Sequence, residues 1–300
     1  IRSFDASAAL ARRGVQQVFE IDSGVAVVAS DYWTAIKARE QLQIEWDASE
    51  AETRSSGDIL AQYRELVETP GAIAEAHGNP DSVLSASSDV TELMFEYPYL
   101  AHAQMEPMNC VAQVNGDSAE MWYGCQSPTS DKAAIAQLLG TSGDKVTIHT
   151  VFAGGGFGRR ANPASDYVLE SVQIARQVPN TPVKLVWSRE DDMQAGYYRP
   201  AYVHKLSAAL DAAGKPNAMK IRIAGQSIMA GTSMAAMMVR DGIDNTSVEG
   251  LTEFAYDVPE RQYSGGVRWV TRTRRSVKKC LLMRWPEKRV QTRWLIAWSC

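Results

Sequence analysis

Cysteine and histidine are scarce in this sequence. Cys110, Cys125, Cys280 and Cys300 form no CxxC pair, and His77, His102, His149 and His204 are scattered singly. That pattern argues against a structural zinc or iron–sulfur site within the chain, so no metal ligands are assigned. Long apolar runs are missing too. The stretch MAGTSMAAMMV at 229–239 is too short and too rich in small residues for the roughly 20 residues of a membrane span. The chain opens at Ile1 with neither a methionine nor a signal-type segment, which raises the expectation of a piece of something longer. No internal repeat is evident, and no Ser/His/Asp arrangement stands out for nucleophilic catalysis.

What is present is ordinary globular material, 45% apolar and 22% charged over 300 residues, enough for one large or two medium domains. The net charge of −4 gives no reason to expect nucleic acid as a partner. The charge is unevenly spread. Residues 265–300 carry ten Lys/Arg against the single acid Glu287, a net of +9, and four of the eight tryptophans; the preceding 264 residues therefore sit at −13. Such a break marks a boundary.

Between these limits the pattern is α+β. GVQQVFEI and GVAVVAS read as strands, DYWTAIKAREQL as a helix capped by Asp31, and QIEWD as a further strand. Residues 51–90 are polar, with one short helix near 58–67, and read as a connecting segment. Strands resume from 91, with a hairpin signal at Asn115-Gly116, helices over 129–140 and 163–178, and a second turn at Ala213-Gly214. Asn162-Pro163 reads as N-cap and first-turn proline of the second helix. Glu190-Asp191-Asp192 reads as a helix or turn start.

The stretch FAGGGFGRR, Phe152–Arg160, follows the strand KVTIHTV and precedes a helix. Strand, glycine loop and helix together aim backbone N–H groups at an anion. Two familiar explanations fail on spacing. A P-loop needs Gly-Lys-Ser/Thr where Gly158-Arg159-Arg160 stands, and a GxGxxG fingerprint from Gly154 needs glycine at Arg159. Spacing alone leaves two readings open: a tight structural turn with solvated arginines, or a site for a phosphate-bearing or oxyanion ligand.

AGGGFGRR resembles the glycine motif of the molybdenum hydroxylases, the aldehyde oxidase and xanthine dehydrogenase family. Gln126, in CQSPTSDK, lies 31 residues before Phe157, the separation that family uses. AHAQMEPMNCVAQV, SREDDMQAGYYRP and DGIDNTSVEGLTEFAYDVP resemble the large (beta) subunits of the isoquinoline 1-oxidoreductase type, including membrane-bound aldehyde dehydrogenases. The resemblance implies an α+β architecture. Residues 1–50 would be the C-terminal part of a small α/β hammerhead-like domain, 51–90 a connection, 91–264 a truncated first molybdopterin-binding domain, and 265–300 a poorly ordered tail. It also implies a molybdopterin cofactor with molybdenum, as the cytosine dinucleotide. [2Fe-2S] clusters would sit on a separate small subunit, with a cytochrome c as electron acceptor and a small-molecule substrate.

By position, Gln126 and Phe157 would flank the metal's oxo side. Gly154, Gly155, Gly156 and Gly158 would offer N–H contacts, and Arg159 and Arg160 would neutralise cofactor phosphates. His102 and Glu106 are weaker candidates for a substrate funnel. The purine-oxidising branch has a glutamate where Ala161 stands, so the resemblance implies aldehydes or N-heterocycles hydroxylated with oxygen from water. Its catalytic glutamate would lie further along, so no catalytic residue is assigned here. A periplasmic, membrane-associated or cytoplasmic place in a bacterium is equally consistent with the family.

The tail has three readings: a nucleic-acid-binding arm, a membrane-binding arm, or an out-of-frame translation; as an arm it would belong to a non-enzymatic module whose glycine loop holds an anion and whose tail binds polyanions. Shifting the frame by one base lets Trp269–Thr271 read G-H, Cys280–Pro286 read F-I-D-E-M-A, and Pro286–Trp294 end in G-A-D-P-L. The family shows such sequence at this place, and the last reading is the one adopted.

Overall fold

The structure is a computed structural model that describes residues 1–49, 51–232, 234–266 and 294–299. It divides into two compact units, residues 1–51, 101–197 and 285–300 in the first and 52–100 and 198–284 in the second.

β1 (Val15–Ile21) and β2 (Gly24–Ala29) form an antiparallel hairpin, followed by α1 (Tyr32–Arg39). Asp31 caps that helix as its sequence predicts, accepting from the Thr34 N–H at 2.9 Å. β2 is buried along its whole length because both faces are covered. Ala26 and Val28 enter one apolar cluster, while Val25 and Val27 enter another with Ala38 and Leu42.

Residues 51–90, expected to be a connection, carry α2 (Ser56–Leu66), β3 (Ala72–His77) and α3 (Pro80–Ala86). Ile59, Tyr63 and Val67 recur every four residues and give this polar run one buried stripe, which average composition conceals. β4 (Val90–Tyr97) follows.

β5 (Asn109–Asn115) and β6 (Ser118–Tyr123) form the predicted hairpin, with Gly116 at φ 60° in its turn. Cys110, Ala112 and Val114 alternate inward on one strand, and Ala119, Met121 and Tyr123 on the other. α4 (Pro128–Leu139) closes on Gly140, and β7 (Val146–Thr150) returns parallel to β6. α5 (Asp166–Ala175) buries Val168, Val172 and Ala175 in the cluster that also holds the β5 side chains and Val183 and Leu185 of β8 (Val183–Val186). α6 (Arg189–Ala195) begins at the acid run, with Ser188 and Asp191 forming a capping box.

The second unit closes with β9 (Tyr202–Leu210), β10 (Pro216–Gly225) and β11 (Glu260–Gly266); β12 (Trp294–Ser299) belongs to the first. The sheet orders are β7-β6-β5-β8-β12-β2-β1 in the first unit and β3-β11-β10-β9-β4 in the second. Helices and both parallel and antiparallel pairs are mixed without strict βαβ alternation, so the class is α+β. Of the basic segment 265–300, Gly265 and Gly266 end β11 and 294–299 form β12. The expectation of poor order did not include that strand, and the rest of the segment lies outside the described residues.

One local expectation is corrected. Helix α5 starts at Asp166, not at Pro163, because Asn162 spends its side chain on its own turn, accepting from the Ala164 N–H at 2.7 Å. Ser165, at φ 48°, then reorients the chain into the helix.

Candidate functional site

From the end of β7 to Asp166 the first unit runs without helix or strand. Gly155, Phe157 and Gly158 there have φ of 96°, 53° and 94°. Glycine adopts such angles freely, whereas at Phe157 the left-handed conformation costs roughly 1–2 kcal/mol. Its ring is 77% exposed, so burial of the ring does not offset that cost. Gly154 and Gly156 are glycine for space instead. A Cβ on Gly154 would stand 2.6 Å from the Glu106 Cβ, and one on Gly156 would stand 2.7 Å from Gln126 Oε1.

Two reciprocal pairs of hydrogen bonds clamp the loop at its ends. The Gly154 N–H donates to Glu106 Oε2 at 2.8 Å, and the Glu106 N–H donates back to the Gly154 carbonyl at 3.1 Å. The Arg160 N–H donates to Gln126 Oε1 at 3.1 Å, and the Gln126 N–H donates to the Arg160 carbonyl at 3.2 Å. The Arg160 guanidinium then ties the first clamp to the second. It donates to the carbonyls of Gly155 (2.8 Å), Gly124 (3.4 Å) and Glu106 (3.0 Å), and pairs with Glu106 Oε2 at 2.8 Å.

The arginine expectations are corrected by this geometry: neither head group is solvated or turned toward an external phosphate. Arg159 is 3% exposed, pairs through both terminal nitrogens with Asp166 (2.8 and 3.2 Å), and lies over the rings of Trp187 and Tyr197. Both arginines build the loop from within. What the loop offers is its backbone. The Arg159 and Ala161 N–H groups close turns onto the Gly156 and Gly158 carbonyls. Among the described residues nothing accepts from the N–H groups of Gly155, Gly156, Phe157 or Gly158. Four successive backbone donors are thus left available to an anion.

The surrounding groups are held in definite states. Partial burial works to raise the Glu106 pKa, but the Gly154 N–H, Asn109, Arg160 and Lys184 outweigh it and hold the carboxyl below its usual range. Glu106 therefore acts as a loop clamp, its carboxylate already engaged. For His102, burial is the main cause of a lowered pKa, the Tyr197 carbonyl opposes it, and the Arg159 charge adds to it. Nδ1 lies 3.2 Å from that carbonyl, so Nδ1 carries the proton and Nε2 is left as an acceptor beside Gly158. Gln126 is exposed, and no described residue accepts from its Nε2.

Sequence reasoning missed a buried polar layer under this loop's neighbours. Gln104 is fully buried and donates from Nε2 to both Asp192 oxygens at 2.7 Å. Burial raises the Asp192 pKa against the opposing pull of Arg159, Gln104, the Met108 N–H and Arg189. Gln104 Oε1, Arg159 Nε and Asn162 Nδ2 are buried without a partner among the described residues. The only signal for this layer was the polar pair in AHAQ and REDD, which reads equally as a loop and a helix start. Among the described residues no group of three or more His, Cys, Asp or Glu is placed to hold a metal ion, and no helix is long and apolar enough to cross a membrane.

Residues 66–265 match the family described as the molybdopterin cofactor-binding domain, two thirds of the chain. The chain belongs to that family. Among curated members, the isoquinoline 1-oxidoreductase subunit beta of Brevundimonas diminuta is 34% identical over 207 residues, 66% of this chain and 26% of that protein. The membrane-bound aldehyde dehydrogenase [pyrroloquinoline-quinone] of Gluconacetobacter polyoxogenes is 29% identical over 75% of this chain and 30% of its own length. The chain thus spans between a quarter and a third of these family members. In fold it is similar to quinoline 2-oxidoreductase from Pseudomonas putida 86, with a TM-score of 0.62 and 18% identity over 88% of this chain and 38% of that one. Aldehyde oxidoreductase from Desulfovibrio gigas gives a TM-score of 0.61 over 88% of this chain and 33% of that one, at 16% identity. The residues present fit the family's cofactor: the loop gives four backbone amides and Gln126 a side-chain amide, none with an acceptor among the described residues.

Proposed function

We propose that this chain is part of the large subunit of a molybdenum hydroxylase and supplies one wall of its molybdopterin site. The observation that carries this reading is the run of four free N–H groups from Gly155 to Gly158, clamped between Glu106 and Gln126. Bound there, the cofactor would supply two-electron redox chemistry at a substrate carbon. The chain's own part is positioning. The Gly155–Gly158 amides donate to an anionic group, and Gln126 presents Nε2 because its Oε1 is committed to Arg160. Phe157 offers an exposed ring beside them. Arg159 and Arg160 act at one remove, by fixing the loop.

The substrate class follows from the members named above, whose names point to aldehydes and N-heteroaromatic rings, and from Ala161, which leaves no carboxylate for a purine. The cytosine dinucleotide form, a separate [2Fe-2S] subunit and a cytochrome c acceptor belong to the same reading, as does the chain's status as a fragment lacking the catalytic residue. Residues 265–300 are read as out-of-frame. Sequencing the coding DNA through Ser264 tests this: a one-base correction should restore family-like sequence, and an unbroken frame through Arg272-Arg274-Arg275 defeats it. For activity, the protein that contains this chain is to be assayed with an aromatic aldehyde, isoquinoline and xanthine in H2¹⁸O. Label should enter the product of the aldehyde or isoquinoline and not of xanthine; xanthine turnover alone would overturn the substrate reading.

A further inference from the structure

Two side chains of opposite hydrogen-bonding sense flank the free amides of the glycine loop. Beside Gly156 stands Gln126, whose Nε2 is a donor. Beside Gly158 stands His102, with Nε2 4.0 Å from the place a Cβ on that glycine would take. The Nδ1 proton goes to the Tyr197 carbonyl at 3.2 Å, so Nε2 is an acceptor. It has no partner among the described residues and is not sealed from solvent. The ring stays neutral because burial opposes its protonation, and the Arg159 charge adds to this against the Tyr197 carbonyl and Asp192.

The backbone bends to hold the imidazole there. Ala103, next in sequence, has a φ of 50°, a left-handed conformation unfavourable to any residue with a Cβ. The following position fixes it, since Gln104 is fully buried and donates to both Asp192 oxygens at 2.7 Å. Backbone strain held in place by such contacts gathers at ligand sites. Phe157, also left-handed at φ 53°, adds a flat apolar surface 77% exposed. The amides call for an oxygen, the imidazole for an N–H or O–H, and the ring for a planar partner. A hydrogen phosphate meets the first two demands; a heteroaromatic lactam meets all three.

On the reading of this loop as a ligand-binding wall, we infer that the loop and His102 together bind a heteroaromatic lactam. Its carbonyl oxygen accepts from the amides at the Gly158 end, its ring N–H donates to His102 Nε2, and its face turns toward Phe157. The amides at the Gly155 end stay available to an anionic group. Two sources share this chemistry: the pterin of the cofactor, and the hydroxylated product of an N-heteroaromatic substrate in its lactam form.

The test uses the whole protein that contains this chain, purified from a host that makes the cofactor. It is titrated calorimetrically with isoquinolin-1(2H)-one and with the N-methyl derivative, and the pterin retained after gel filtration is measured. If the lactam is the product's, the parent should bind the N–H compound about tenfold more tightly than the N-methyl one. His102→Asn keeps a donor for the Tyr197 carbonyl but lacks Nε2, so this discrimination should vanish. His102→Gln supplies an acceptor further out and should restore it. If the lactam is the pterin's, the parent should not distinguish the two compounds. His102→Asn should then retain less pterin than the parent, and His102→Gln as much. Circular dichroism checks that both variants fold, and the parent's own discrimination stands without them. Neither discrimination nor pterin retention depending on residue 102 overturns the inference. A parent without pterin that still prefers the N–H compound contradicts the cofactor reading alone; one that has no pterin and no preference overturns both.

Discussion

Arg160 is where the two clamps of the glycine loop meet, its head group on Glu106 and its backbone on Gln126. Arg160→Ala would leave the Gly124, Gly155 and Glu106 carbonyls without their donor and Glu106 without its cation. A loss of about 3 kcal/mol is expected from urea unfolding, near the lower end for a broken buried pair because Glu106 is partly exposed. Gly154→Ala and Gly156→Ala should separate. The first drives a Cβ into the Glu106 Cβ; the second meets only the movable end of Gln126. Denaturation should therefore show Gly154→Ala clearly destabilised and Gly156→Ala close to the parent. Asp131 supplies the pH prediction. Burial raises its pKa, and Ser165 and Tyr123, both neutral donors, only partly offset this. The folded chain thus holds a proton that the unfolded chain releases near the ordinary carboxylate value. Stability should fall as pH rises from that value through the raised folded pKa. Asp131→Asn should flatten that part of the stability profile, and an unchanged slope would contradict the assignment.

At the scale of elements, α6 is fixed by chemistry legible in five letters, SREDD. Ser188 accepts from the Asp191 N–H at 3.2 Å and Asp191 accepts from the Ser188 N–H at 3.1 Å, while Asp191 also pairs with Arg39 at 2.6 Å. Ser188→Ala should cost about 1 kcal/mol, measured by thermal or urea unfolding. Local rules succeed wherever the deciding partner is near in sequence. The β5–β6 hairpin was legible because Cys110, Ala112 and Val114 alternate and Asn115-Gly116 turns. α5 was misplaced by three residues because Asn162 had two local options, capping or turning, and the sequence does not rank them. The helix read near 58–67 is α2, but β3 and α3 were hidden in the same polar run, whose partners lie in a sheet built from residues far away. The glycine loop was legible as a loop, and its ligand-facing backbone was not. Its clamps join residues 48 and 34 positions apart, so no local pattern could show that the arginines turn inward.

At the scale of the whole molecule, the two units interleave in sequence, and the loop with Glu106, Gln126, Arg159 and Arg160 lies wholly within the first. If the loop's bare backbone holds molybdopterin, pterin and molybdenum content will respond to a side chain placed in it. The whole protein that contains this chain, as parent and as Gly156→Val, would be purified from a host that makes the cofactor, with folding checked by circular dichroism. Stoichiometric pterin and molybdenum are expected in the parent, and loss of both from a folded Gly156→Val, whose branched side chain crowds Gln126. Equal pterin in both proteins, or none in the parent, would contradict it.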